Sequence, residues 1–213
     1  MRPPESWRRA RVTLAIAAVT AAAWALAAAL GLTDMAAVWG GFVPARVSGV
    51  EGDEALAPMF LTPLTATLVH ANFAHLAMNL LVLLFCGRAV ENIIGWPGLA
   101  ALYVTGGYMA AAAQYAAGPL DVTWMVGASG AVSAVLGTYA MLFGRNRVKI
   151  ANPRLALWVN ALWLAAAWVA LQVIVGLTFA RADVAIAIAA HIGGFLTGML
   201  LAKPLLLLRY RKA

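Results

Sequence analysis

VTLAIAAVTAAAWALAAALGL, Val12–Leu32, runs for 21 residues without a charge. At about 1.5 Å per residue it covers a ~30 Å hydrocarbon core. Basic residues precede it, as they do in a secretory signal. Its length exceeds the ~7–15-residue core of such a signal, so it reads as a retained span. Five more apolar runs follow, at about 72–94, 98–117, 126–144, 155–179 and 184–208. Lipid offers no partner to a free backbone N–H or C=O, so each run is expected to be a helix.

Composition agrees. Of 213 residues, 64% are hydrophobic and 11% charged, against ~45–50% and ~25% in soluble domains. A soluble globule of this size has too much surface to hide so much apolar side chain, and disorder is excluded for the same reason. The single cysteine, Cys86, rules out an internal disulfide framework and a zinc site built on a cysteine cluster. The net charge of +7 is spread between the apolar runs and forms no single basic patch. It therefore points to membrane topology, with no nucleic-acid partner expected.

The same charges orient the bundle. With the N-terminus in the cytoplasm, 13 of the 15 basic residues fall inside: Arg2, Arg8, Arg9, Arg11, Arg88, Arg145, Arg147, Lys149, Arg154, Lys203, Arg209, Arg211 and Lys212. Only Arg46 and Arg181 fall outside, where most of the acids also lie (Asp34, Glu51, Asp53, Glu54, Asp121 and Asp183). The positive-inside rule then gives an all-α polytopic membrane protein of six transmembrane helices, both termini cytoplasmic, as one domain over residues 1–213. The connection 33–71 is long enough to expect structure of its own. Its apolar patches, Trp39–Val43 and Met59–Leu61, predict a part-buried interfacial loop on the outer side.

Polar residues at membrane depth are functional candidates. The three histidines, His70, His75 and His191, map to the outer ends of the second and sixth spans. Asn79 lies one turn from His75 on the same face. Ser129 lies at the outer start of the fourth span. GASG, Gly127–Gly130, and AHIGGFLTG, Ala190–Gly198, place Gly130, Gly194 and Gly198 where small residues let two helices approach closely. If those helices touch, Ser129 and His191 come within hydrogen-bond reach, as an activated nucleophile requires. Other readings stay open. Ser129 could bond back to its own helix, His191 could be a packing residue, and His75 and Asn79 could bridge helices. Three histidines could also bind zinc, but no acid lies at this depth and no HExxH is present, so no metal and no cofactor is expected.

The chain resembles the rhomboid intramembrane serine proteases in their bacterial six-helix form. Three segments carry the resemblance: HANFAHLAMNLLVLLFCGRAVENIIG, His70–Gly95, with its HxxxN pattern at His75 and Asn79; GASG; and AHIGGFLTG. The resemblance implies Ser129 as nucleophile and His191 as general base. It implies His75, Asn79 and the Ser129 N–H as oxyanion donors, with Gly127 in the nucleophile motif. It gives His70 polar contacts at the site's mouth, Gly194 and Gly198 close packing on the fourth helix, and Glu91 a structural role. Many bacterial members carry an aromatic four residues past the nucleophile, stacked under the base. This chain has Ser133, expected to face His191 with room for a tyrosine. Trp158, Trp163 and Trp168 of the fifth helix read as lipid or packing residues. The implied activity is hydrolysis of membrane-anchored protein substrates within the lipid bilayer, on the extracytoplasmic side of the plasma membrane. The alternative is a catalytically weak rhomboid-like protein that binds membrane clients.

Overall fold

In a computed structural model the described residues are 6–50, 57–144, 152–180 and 187–211. Arg2, Glu51, Asp53, Glu54, Arg145, Arg147, Lys149, Arg181, Asp183 and Lys212, used above to orient the chain, lie outside them. Among the described residues the structure is helical, with one isolated antiparallel bridge, Phe42 to Met125. The helices are α1 (Arg11–Ala29), α2 (Thr33–Gly40), α3 (Pro44–Val47), α4 (Thr62–Thr65), α5 (Phe73–Val82), α6 (Arg88–Ala117), α7 (Ser129–Phe143), α8 (Pro153–Ala180) and α9 (Ile188–Arg209). Three helical stretches among the described residues are long and apolar enough to cross a membrane: α1, the continuous run Phe73–Ala117, and α9. The run Phe73–Ala117 joins α5 to α6 through a π turn, Leu83–Gly87. It breaks at Gly95, whose φ of 78° suits a residue without a side chain.

Burial is inverted relative to a soluble bundle. α1 buries Thr13, Ala17 and Thr20, while Leu14, Val19, Leu26 and Leu30 are exposed. A helix solvated by lipid turns its large apolar side chains outward and its small and polar ones toward its neighbours. The centre is formed by α6, α7 and α9, which pack on one another most extensively. Leu99, Leu102, Val132, Ala134 and Val135 fill the space between them.

The N-terminus of α1 has no capping side chain of its own, since Ala10 occupies the cap. Its first amides would be orphans in a medium without water. Glu91, 1% exposed, supplies the cap from α6. Its carboxylate accepts from the Val12 N–H at 2.9 Å, the Thr13 N–H at 2.8 Å and the Thr13 hydroxyl at 2.7 Å. The positive end of the α1 dipole adds to the attraction. The structural role expected of Glu91 thus has a specific geometry.

The described parts of the 33–71 connection hold short helices. Phe42, Val43 and Ala45 are buried, and the Phe42 N–H donates to the Met125 carbonyl at 3.0 Å. Met59, Phe60 and Leu61 are instead exposed; they belong to a short helical turn whose side chains face away from the bundle.

Glu91→Ala leaves two backbone donors and one hydroxyl unpaired at once. At ~1–3 kcal/mol per buried orphan, it is expected to lower the thermal midpoint in detergent far more than Thr13→Val, which removes one hydroxyl. Equal midpoints for the two variants would show that the carboxylate is not the anchor.

Candidate active site

α7 starts at Ser129 and not at Val126, where the apolar run begins. The cause is local. Gly127 has a φ of 106°, outside helical space. Its N–H donates to the Ala66 carbonyl at 2.9 Å, and the next N–H, of Ala128, donates to His70 Nε2 at 3.3 Å. Two donations to the 66–70 segment hold the turn open and set Ser129 as the first helical residue. Nothing but hydrogen fits on Gly127: an ideal Cβ there would lie 2.5 Å from His75 Cε1 and 2.6 Å from His75 Nε2.

α9 brings the imidazole. A Cβ on Gly194 would strike the Gly130 carbonyl, and one on Gly198 the Ala134 carbonyl. Gly130 itself faces Ala110 of α6, with 2.5 Å from an ideal Cβ to the alanine methyl. The Thr138 hydroxyl then donates to the Gly198 carbonyl at 2.8 Å. At this backbone-to-backbone separation, Ser129 Oγ and His191 Nε2 lie 2.8 Å apart. A serine at the first helical position, after a turn, bonds to another helix here and not back to its own.

His75 and Asn79 lie on one face of α5, as their spacing predicts. His75 packs edge-on against His70, with ring centroids 5.0 Å apart. The Asn72 side chain caps α5 by accepting the His75 N–H at 2.9 Å. Asn79 Nδ2 donates to the His75 carbonyl at 2.9 Å, so one of its two amide hydrogens is engaged within its own helix. A narrow cleft of about 10 Å³ adjoins the site, lined by Pro63, Thr67, Gly127, Ser129 and Ala190 among others. That is room for about one water molecule.

Two expectations need correction. His70 is not at the site's mouth. It is 1% exposed and lies behind the Gly127–Ala128 turn, where Nε2 is the acceptor that holds it. Burial, then the charge of His75, lower its pKa to about 4, and the Leu68 backbone works weakly in the other direction. Ser133 leaves no room for a tyrosine. It is 4% exposed, and its Cβ is 3.3 Å from where a Cβ on Gly194 would sit. The tight α7–α9 contact fills the space that an aromatic would need.

Trp168, grouped by sequence with the other tryptophans of α8 as a lipid or packing residue, is a packing residue with a specific partner. Its indole N–H donates to the His191 carbonyl at 3.3 Å, and its ring stacks on Phe195 with centroids 5.0 Å apart. Trp163 is exposed, as a lipid-facing residue would be; the side chain of Trp158 lies outside the described residues. No local signal separates Trp168 from its neighbours, because the partner carbonyl is 23 residues away.

Comparison with known proteins supports a family. The family model for the Rhomboid domain matches residues 58–208. No curated protein matches the chain.

Two measurements test this geometry. Ser133→Tyr is expected to overpack the α7–α9 contact and cost ~1–3 kcal/mol or more, read as a lower thermal midpoint; an unchanged midpoint would show hidden space. For His70, the folded-state pKa lies below the unfolded ~6.5. Its contribution to stability is therefore complete above about pH 6.5 and declines as pH falls from there toward about 4. In a pH series of thermal midpoints, His70→Gln should flatten the acid limb relative to wild type.

Proposed function

The chain belongs to the rhomboid family, and from that premise we propose that it is an intramembrane serine endopeptidase. The family is one of intramembrane proteases, and the fold is that of a multi-pass membrane protein. The finer reading is a Ser129–His191 dyad acting on membrane-anchored proteins. The observation that carries it is the 2.8 Å separation of Ser129 Oγ and His191 Nε2.

In this reading His191 takes the Ser129 proton as the oxygen attacks the substrate carbonyl, then returns it to the leaving amine. The new C–O bond forms as the carbonyl π pair moves onto its oxygen. Water repeats the attack on the acyl-enzyme and frees Ser129. Packing helps to hold the imidazole in place. The Trp168 and Phe195 contacts fix the backbone on which His191 sits. The oxyanion is met by the Ser129 N–H at the start of α7, where the helix dipole favours negative charge, and by His75 and Asn79. Each such donor is worth ~2.7–4 kcal/mol in a water-poor site.

The cleft is too small for a peptide, so α8 must move to admit one. A helical substrate has its carbonyls already bonded. Substrates with Gly, Pro or polar residues near the scissile bond therefore unwind more cheaply. Six membrane crossings with both termini in the cytoplasm put the dyad near the extracytoplasmic face of the plasma membrane, where water enters without crossing hydrocarbon. A client-binding protein with the same bundle is the rival reading.

A fluorophosphonate probe separates the two. Covalent labelling of the wild type, lost in Ser129→Ala and in His191→Ala, supports the protease. Equally weak labelling of folded wild type and Ser129→Ala would assign the chain to client binding. With a transmembrane substrate, His75→Ala and Asn79→Ala should each lower kcat by ~100–1,000-fold, with smaller effects on the thermal midpoint. Unchanged turnover would remove them from the mechanism.

A further inference from the structure

The end of the bundle away from Ser129 is built from three separate segments. Asn92 Nδ2 donates to the Ser6 carbonyl at 2.9 Å, and the Arg88 guanidinium lies over the Trp7 ring, 4.6 Å from its centroid. With the Glu91 cap on α1, these contacts fold the residues before α1 onto the start of α6. Arg209, in the last turn of α9, lays its guanidinium against buried Gly95, with Cζ 3.2 Å from where a Cβ would sit. From His191 to Arg209 α9 rises about 27 Å, so this end lies roughly a hydrocarbon core away from the dyad. Arg8, Arg9, Arg11, Arg88, Arg209 and Arg211 are thereby gathered at one end.

Little negative charge meets them. Of the three acids among the described residues, Asp34 and Asp121 lie beyond the C-terminal ends of α1 and α6, at the opposite end. Glu91 is 1% exposed and turned inward to α1. Arg8, Arg9, Arg11, Arg209 and Arg211 are exposed, and so are Trp7, Trp96 and Tyr210 beside them. Exposed indole and phenol rings mark the headgroup level of a bilayer. A topological signal needs only positive charge. Here the charges are also held together by contacts across α1, α6 and α9, and all six are guanidinium groups, whose planar fork matches two phosphate oxygens. A zwitterionic headgroup carries an ammonium that offsets its own phosphate, whereas an anionic one leaves that charge uncancelled. We propose that this end is a binding surface for the phosphodiester of anionic phospholipids, with Arg88 and Arg209 flanking the 91–95 stretch and Arg8 and Arg9 beside Trp7. Lipid bound there ties the segment before α1 and the last turn of α9 to α6. The surface does not depend on whether the chain cleaves peptides.

Electron spin resonance of the full chain in phosphatidylcholine vesicles tests this, with a trace of spin-labelled phosphatidylglycerol or phosphatidylcholine as probe. The motionally restricted fraction of each probe gives their relative association constant at the protein surface. Wild type should prefer phosphatidylglycerol. Arg209→Gln and Arg8→Gln/Arg9→Gln should each lower that preference, and the triple variant should bring it to parity. Arg46→Gln, at the opposite end, should behave as wild type. Arg8 and Arg9 are exposed, so their variant keeps the test open if Arg209→Gln disturbs the fold, as checked by circular dichroism. Parity in wild type, an unchanged preference in a folded triple variant, or an equal fall in Arg46→Gln overturns the proposal. Loss of the preference on adding inorganic phosphate at constant ionic strength would assign the arginines to a free anion and overturn it too.

Discussion

Everything at the candidate site depends on how closely α7 and α9 approach. Gly194 lies on the Gly130 carbonyl and Gly198 on that of Ala134, with no side chain between the backbones. A glycine inside a helix costs ~1 kcal/mol relative to alanine. In lipid there is no hydrophobic drive to repay that cost, so it is offset by dispersion and by close polar contact between the chains. The contact also sets a distance. A hydroxyl has one carbon of reach, and only near-touching backbones let Ser129 meet an imidazole from another helix.

The polar interior does two jobs with the same residues. Gly127 opens the turn before Ser129 and also gives His75 its place. His70 accepts an amide from that turn while lying buried against α1. Glu91 closes the other end of α1 by accepting three hydrogen bonds. In a soluble protein each of these groups has water as an alternative partner. Inside a bilayer the alternative is an unpaired group, so the network is held by the cost of breaking it. That favours a rigid scaffold, which suits the proposed dyad.

The arrangement also separates a densely packed centre from a more lightly packed helix. α6, α7 and α9 form the packed centre, while α8 is attached among the described residues chiefly through α9. Trp168 provides that attachment at the level of His191. α8 therefore lies next to the proposed base, and the Trp168 indole hydrogen bond ends on the residue that carries the imidazole.

Much of this is legible in the amino-acid sequence itself. Membrane helices follow from charge-free runs because lipid admits few other backbones. The shared depth of Ser129, His75, Asn79 and His191 follows from counting residues from the ends of those runs. The glycines at 194 and 198 announce a close helix contact because little else explains them in a helix. Other features are decided only by the fold. The burial of His70, the lack of space at Ser133 and the role of Trp168 each depend on a partner far away in the sequence. Periodicity reports which face of a helix a residue occupies, whereas only packing determines which neighbour meets that face and how much room is left between them.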